Sequence, residues 1–477
     1  MNAPEFAKCS CQYCGGHIEF PIEASNAVVA CPHCQQPVTL QEDELQPAAY
    51  KEEPVAGITP SQIAAAFQAG VPRTRVSILY QLGLVIVAIT MVILPLIYLS
   101  LVGAAGWCVY WWATHGLSIF GGGGSGRGML LKLIVYLTPL FTGIVVVLFM
   151  IKPLLARRAP AAQPLALNSA AEPVLFALVR CICDAVGAPF PKRIDVDCQL
   201  NASASFRRGM LSFFGSDLML TIGMPLVAGM TARQFAGILA HEFGHFTQGF
   251  GMRLTYIIRS INMWFARIAY DRDAWDATLD QWAEEAEDFR VMLVVNTARL
   301  GVWFSRLILK ILLFIGHGIG CFMLRQMEYD ADSYEIKLAG SDTFESAAKR
   351  PHILGNALEK SYKEIRVGWS RNKCLPDNFP AYLLNHEAAI NHAARTHIED
   401  AAGLGKTKIF DTHPADGDRI RQARRAGEPG VFDLDMPATA LFANFEVLAK
   451  QVTHLHYSDD LGIPLAMAKL SPVEPVR

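Results

Sequence analysis

An uncharged apolar run from Val76 to Trp112 restricts this chain to folds that include a membrane. About 20 apolar residues suffice to cross the hydrocarbon core of a bilayer, and apolar helices buried in soluble domains are usually shorter. A second uncharged run, Leu133 to Ile151, lies between Lys132 and Lys152. The sequence therefore predicts a transmembrane helical hairpin over residues 76–152.

The composition agrees with a membrane protein. Hydrophobic residues make up 52% of the 477 positions, which is more than soluble globular domains usually carry. The formal net charge of -2 gives no broad basic field, so we expect no nucleic-acid partner. The lipid bilayer is the partner that these properties predict.

Basic residues are biased to the two outer ends of the predicted hairpin. Arg73 and Arg75 precede it, and Arg157 and Arg158 follow it, whereas the intervening loop carries little beyond Arg127. Because positively charged flanks stay in the cytoplasm, we expect the N-terminus and the chain after the hairpin to be cytoplasmic. The first residues lack the basic and apolar regions of a cleaved signal peptide, so we expect the first span to be a retained anchor.

Four of the eleven cysteines form two Cys-x-x-Cys pairs near the N-terminus, at Cys11, Cys14, Cys31 and Cys34. This spacing is typical of a zinc ribbon, in which four thiolates complete a tetrahedral structural site. Two disulfides are the alternative, although a cytoplasmic segment would be kept reduced. We predict a zinc ribbon over residues 1–40, available to a protein partner, and a linker over residues 41–75.

A helix with its own start signal carries a second group of metal-binding residue types. Thr231 and Gln234 form the pattern of a capping box, and apolar residues recur after them at helical spacing. His241 and His245 are four residues apart, so both project from one face of this helix. The H-E-x-x-H pattern in this context predicts a zinc protease.

The acidic residue within that pattern has a defined role. Two imidazoles and a third protein ligand leave zinc one open position for water, whose pKa falls to about 7 in such sites. Glu242 lies next to the first histidine, so its carboxylate can take the proton of this water and deliver it to the leaving amine. Glu242 is the expected general base.

The third zinc ligand is expected from a helix further along the chain. Glu328 and Asp332 are one helical turn apart and follow a long apolar stretch. Glu328 is the better candidate for the ligand, and Asp332 could hydrogen-bond a ligating histidine and fix its tautomer. A solvated acidic helix start is the alternative that spacing alone leaves open.

The rest of the chain is expected to add a small sheet and further helices. Alternating apolar residues around Ile194 and Leu220 predict strands before the histidine helix. We expect a catalytic domain over residues 174–426, with membrane-associated helices within 252–325, and a C-terminal segment over 427–477.

One apolar stretch in that region, Val291 to Leu324, has two interpretations. Arg299, Arg306 and Lys310 fall on one helical face within it. The stretch is therefore either an amphipathic helix on the membrane surface or a span beside protein.

Ordered motifs in the second half of the chain resemble one protease family, the integral-membrane gluzincins, which include the HtpX-type heat-shock proteases and the CAAX prenyl endopeptidases. These motifs are His241-Glu-Phe-Gly-His245, Glu328-x-x-x-Asp332, and Thr412-His-Pro414 with Arg419. The resemblance covers about residues 174–425. It implies a mainly α membrane protein with a zincin-like α+β catalytic domain, an active-site helix and a small sheet. The N-terminal zinc ribbon is an addition to this shared core.

The resemblance implies roles for the members of the first two motifs. It implies zinc on His241, His245 and Glu328, with Glu242 as the base and Asp332 behind the ligands.

The resemblance also implies substrate contacts. His413 and Arg419 would lie near the scissile carbonyl. Asn201 and Ala202 stand where the family binds a substrate backbone along an exposed strand, and Ser203 replaces the usual larger residue.

These observations predict a membrane-anchored zinc endopeptidase with one catalytic and one structural zinc. Its substrates would be membrane or membrane-associated polypeptides, and the resemblance suggests protein quality control at the bacterial inner membrane. A CAAX-type prenyl-protein protease is the alternative enzyme. A non-catalytic, membrane-tethered zinc-ribbon scaffold is the alternative outside enzymes, and a missing catalytic residue would have favoured it.

Overall fold

The computed structural model describes most of the chain. The described residues are 6–10, 17–21, 24, 27–32, 37–39, 58–72, 78–121, 126–155, 164–206, 217–247, 250–270, 274–285 and 288–474. They fall into two compact units, Met1–Gly57 and Ile58–Arg477.

The described residues of the first unit form two antiparallel strand pairs. Strand β1 (Phe6–Ser10) pairs with β2 (His17–Pro21), and β3 (Val28–Ala30) pairs with β4 (Pro37–Thr39). Cys31 is buried together with apolar residues of β2 and β4. The other three predicted zinc ligands, Cys11, Cys14 and Cys34, lie outside the described residues.

The second unit is mainly helical. Its helices are α1 (Pro60–Ala65), α2 (Ile78–His115), α3 (Arg127–Ile151), α4 (Pro173–Val186), α5 (Met224–Ala228), α6 (Ala232–Thr247), α7 (Phe250–Tyr270), α8 (Ala274–Glu285), α9 (Phe289–Ala339), α10 (Ser341–Asn372), α11 (Phe379–Ala388), α12 (His392–Leu404), α13 (Asp416–Ala426) and α14 (Phe445–Leu455). Its strands are β5 (Leu165–Ala166), β6 (Arg193–Asp197), β7 (Ala202–Phe206), β8 (Leu218–Gly223), β9 (Cys374–Pro376) and β10 (Lys469–Ser471). The expected fold class, mainly helical with a small sheet, is confirmed.

Three helical segments within the described residues are long and apolar enough to cross a membrane. They are Ile78–Gly121, Arg127–Ile151 and Val295–Ala339, with mean hydropathies of 2.7, 2.5 and 2.1. The first two contain α2 and α3 of the predicted hairpin. The third belongs to α9, a single helix of 51 residues that by length and composition could cross a membrane.

A four-stranded sheet carries the active-site helix. The strand order is β5-β6-β8-β7, with β6 parallel to β8 and β7 antiparallel to it at the edge. Helix α6 buries Phe235, Leu239 and Phe243 in the core that this sheet shares with α4. The predicted capping box is present, because Thr231 Oγ1 accepts the Gln234 N-H at 3.2 Å and the Gln234 side chain accepts the Thr231 N-H at 3.0 Å.

Two glycines allow α9 to approach α6 closely. A Cβ atom added at Gly237 would lie 2.9 Å from the Ala339 Cβ, and one added at Gly244 would lie 3.0 Å from the Tyr334 ring. Close-packed interiors leave little room to accommodate such contacts, so alanine at either position would push the helices apart. This spacing sets how near the acidic residues of α9 come to the histidines of α6.

The structure describes residues 58–72 of the expected linker over residues 41–75. Residues 58–72 pack into the second unit, where Ile63 of α1 is fully buried against α4 and Val71 is also buried. The amphipathic pattern around α1 buries an apolar side chain, so this part of the segment has a structural role of its own.

Candidate active site

The two histidines of α6 lie side by side, and His241 lines a cleft. His241 and His245 are both buried, and their ring centroids are 4.8 Å apart. Nitrogen atoms of these rings and a carboxylate oxygen of Glu242 all lie within 4.8 Å of one another. The i, i+4 spacing thus brings two imidazoles and the intervening acid to one point.

Helix α9 brings buried carboxylates to the same place. Glu328 Oε2 lies 3.4 Å from His241 Nε2, and Asp332 Oδ1 lies 3.0 Å from His241 Nδ1. Glu335, one turn further along α9, places an oxygen 3.7 Å from the same Nδ1. His241 is therefore held between carboxylates on both sides of its ring.

Arg419 of α13 contacts Asp332, one of these carboxylates. Its Nε and Nη2 atoms donate to the two oxygens of Asp332 at 2.9 and 2.6 Å, and its Nη1 donates to Asp416 at 3.2 Å. Such a two-pronged pair fixes the orientation of a carboxylate. The contacts run from Arg419 through Asp332 to His241.

His413 and an unexpected arginine meet Glu328. His413 Nδ1 lies 3.2 Å from Glu328 Oε1, and 63% of the His413 side chain is exposed, so the ring borders the open cleft. Arg259 of α7 donates to the same oxygen at 2.7 Å. Glu328, the expected third ligand, thus points one carboxylate oxygen toward His241 and the other toward His413 and Arg259.

The edge strand forms the wall of the cleft beside Glu242. The Ala204 N-H donates to Glu242 Oε2 at 3.1 Å. Asn201 and Ala202 line the same cleft, which has a volume of about 340 Å³ and is also bordered by His413. The structure therefore brings the expected base and the expected substrate-binding positions to one cavity.

Burial and neighbouring charges shift the pKa values of these groups in different directions. Burial, and then the neighbouring His241, lower the pKa of His245 to about 3, so its imidazole is neutral. Burial alone would lower the pKa of His241, but the facing carboxylates of Asp332 and Glu328 outweigh it and raise that pKa. Burial raises the pKa of Glu242, an effect that the nearby His241 opposes. A carboxylate with a raised pKa is a stronger base.

The donor set fits a zinc ion. Two imidazoles and a glutamate are a known ligand set for catalytic zinc. The imidazole of His245 is already in the neutral form that binds metal, and zinc binding at His241 would displace the proton that its facing carboxylates favour. Within the described part of the chain, the buried Nδ1 atom of His245 has no hydrogen-bond partner. A buried polar atom of this kind normally requires one, and an orienting contact made on metal binding would supply it.

Sequence reasoning missed four polar residues around the cleft, namely Arg259, Glu335, His352 and Asp416. His352 of α10 contacts Asp416 at 2.7 Å, and both line the cleft. Glu335 could have been found, because it lies seven residues after Glu328 and thus on the same helical face. No sequence pattern pointed to Arg259, because its pairing with Glu328 depends on how α7 packs against α9.

The comparisons with known proteins agree on a peptidase. The model for peptidase family M48 matches residues 171–426, which is more than half of the 477-residue chain. Protease HtpX of Psychrobacter sp. (strain PRwf-1) is 26% identical over 211 residues, which are 43% of this chain and 56% of that protease. The match therefore spans little more than half of that relative. No solved structure matches the chain.

Proposed function

The chain belongs to peptidase family M48, and from this premise we propose that it is a membrane-anchored, zinc-dependent endopeptidase. Its substrates are membrane or membrane-associated polypeptides. The observation that carries the proposal is the cluster of His241, His245 and Glu242 beside a cleft along an edge strand, with Glu328 3.4 Å from His241. We also propose a place in a bacterial inner membrane and a part in protein quality control, on the basis of the family resemblance of the motifs.

The proposed ligands are His241, His245 and Glu328. Zinc bound there would supply a water of lowered pKa and a Lewis acid for the scissile carbonyl. Glu242 takes the proton of the attacking water and passes it to the leaving amine. The Ala204 N-H holds one oxygen of Glu242, which fixes the orientation of the carboxylate for both transfers.

The cleft walls would position the peptide. An extended substrate can pair with the free side of β7, beginning near Asn201 and Ala202, through main-chain hydrogen bonds. Pairing of this kind selects an extended backbone in the substrate rather than a particular substrate sequence. His413 lies across the cleft, where its imidazole can donate to the carbonyl oxygen as negative charge develops there.

We propose a positioning role for Arg419 in place of the substrate contact that the sequence suggested, because its guanidinium is engaged by Asp332. Lysine cannot reproduce this two-pronged contact. Arg419→Lys is therefore expected to weaken zinc affinity about tenfold, as changes behind metal ligands commonly do. Competition with a fluorescent chelator measures this affinity. A raised KM for peptide with unchanged zinc affinity would instead support the substrate contact.

We propose a structural zinc in the first unit, on Cys11, Cys14, Cys31 and Cys34. Cys31→Ser is expected to reduce the zinc content from two ions to one per chain, since a closed four-thiolate site loses affinity with one ligand. Elemental analysis of the purified protein measures this, and hydrolysis of a small peptide should continue. Cys181→Ser, on α4 of the second unit, is the matched control. An unchanged metal count in Cys31→Ser would contradict the ribbon.

The proposed orientation is cytoplasmic for both the N-terminus and the catalytic domain, supported by the basic flanks of the hairpin. Because His241 of α6 and Glu328 of α9 meet at one site, a spanning α9 requires α7, which packs against α2 and α9, to cross the bilayer as well. Reporter fusions at Met1 and after Arg158 should both report the cytoplasm, and a fusion in the loop after Gly121 should report the opposite side. The reverse pattern would overturn the orientation and place the cleft outside the cell.

A further inference from the structure

The loop that carries His413 contacts the apolar part of α9 through a ring contact and a hydrogen bond. This loop, the His413 loop, comprises residues 405–415 between α12 and α13. The Phe410 ring lies 5.1 Å from the Phe314 ring, and His317 Nε2 donates to the Phe410 carbonyl at 2.7 Å. Both partners belong to an uncharged stretch of α9, residues 311–324.

The depth of this contact follows from helix geometry. His317 precedes Arg325, the next charged residue of α9, by eight positions, which at 1.5 Å per residue is about 12 Å along the axis. The stretch between them belongs to a segment apolar enough to span a bilayer. The tip of the His413 loop therefore meets α9 below the level at which charged residues resume.

The carbonyl groups at the loop tip have donors on α9. Arg325 Nη1 donates to the carbonyls of Ile409 and Asp411 at 2.8 and 2.7 Å, and His317 donates to that of Phe410. Irregular backbone is tolerated at membrane depth only where its polar groups have partners other than water. These three carbonyls meet that condition.

The outer surface of the tip is apolar, and two lysines precede it. Ile409 is 79% exposed, Phe410 is 49% exposed, and Leu404 at the end of α12 is 75% exposed. Lys406 and Lys408 lie between them and are exposed. Apolar side chains beside lysines are typical of segments that lie at the boundary between lipid headgroups and acyl chains.

We propose that the Ile409–Phe410 tip enters the interfacial layer of the bilayer that α9 would span. The occupant is lipid because the tip continues the exposed apolar surface of α9 at Phe314 and Phe322. A protein partner would have to share that surface with the acyl chains around α9.

Depth-dependent fluorescence quenching tests this contact. An environment-sensitive fluorescent amino acid is placed at Ile409 of the full chain, which is reconstituted in liposomes of phosphatidylcholine and phosphatidylglycerol. The matched control is the same probe at Val447 of α14, an apolar residue that is 45% exposed on a helix packed against α11. Lipids brominated near the glycerol end should remove most of the emission at 409 and leave that at 447 unchanged.

Two outcomes would overturn the proposal. Equal emission at 409 with and without brominated lipid, together with quenching by aqueous iodide, would mean that the tip lies in water and that lipid does not reach it. Resistance of the 409 probe to aqueous iodide in detergent-purified protein, together with resistance to brominated lipid, would mean that protein covers it. Neither measurement requires proteolysis, so a failed lipid contact leaves the proposed protease activity standing, and an inactive enzyme leaves the lipid contact testable.

Discussion

Replacing Glu242 with glutamine is expected to lower peptide cleavage by at least about a thousandfold, within the range that general acid–base catalysis contributes. The amide cannot accept the proton of the attacking water, yet it retains nearly the same shape and can still accept the Ala204 N-H. His241, His245 and Glu328 are unchanged, so zinc should remain bound. Turnover of a quenched fluorescent peptide and zinc content are measured on the same preparation.

The control for this prediction is Glu446→Gln on α14, which makes the same chemical change at a side chain that is 71% exposed. It should leave turnover unaffected. Near-normal cleavage by Glu242→Gln would exclude Glu242 as the base, whereas a simultaneous loss of zinc would make it a ligand. The inactive, zinc-loaded variant would also retain natural substrates and allow their identification.

His413→Phe is expected to lower kcat about a hundredfold, because removing one donor to a developing oxyanion typically costs about 3 kcal/mol. The His413 ring borders the cleft and contacts Glu328 through Nδ1, so an imidazole N-H is available near the bound carbonyl. KM should change much less, since the lost contact strengthens only in the transition state. Steady-state kinetics with the same peptide separate the two parameters.

His397→Phe on α12 serves as the matched control, because this histidine is exposed and belongs to no described contact of the cleft. Zinc analysis decides between the two roles open to His413. If His413→Phe loses the catalytic zinc stoichiometrically, His413 is a ligand and the assignment of Glu328 has to be withdrawn.

Local sequence signals predicted the elements that depend on local physics. The capping box at Thr231 and Gln234 and the apolar periodicity after it defined α6 without reference to function. Two long apolar runs without charged residues predicted the positions of α2 and α3. The spacing of His241 and His245 fixed their common face, because an α-helix repeats every 3.6 residues.

Contacts that depend on packing between distant elements could not be predicted in this way. Arg419 lies 87 residues from Asp332 in sequence, and only the docking of α13 against α9 shows that it is engaged there. Arg259 was missed for the same reason. The burial of Ile63 shows that a polar, alanine-rich segment can contribute one side chain to a core, which composition averages conceal.

The continuity of α9 fixes the distance between its uncharged stretch and the active site. Glu328 follows Leu324, the last residue of the uncharged stretch, by four positions, or about 6 Å along the helix axis. No hinge separates them, since α9 is one helix from Phe289 to Ala339. Inserting a single residue between them would rotate Glu328 by about 100° away from His241. In the proposed membrane arrangement, a scissile peptide bond would have to lie at a fixed height above the bilayer to reach the site, so substrates would be selected by this distance.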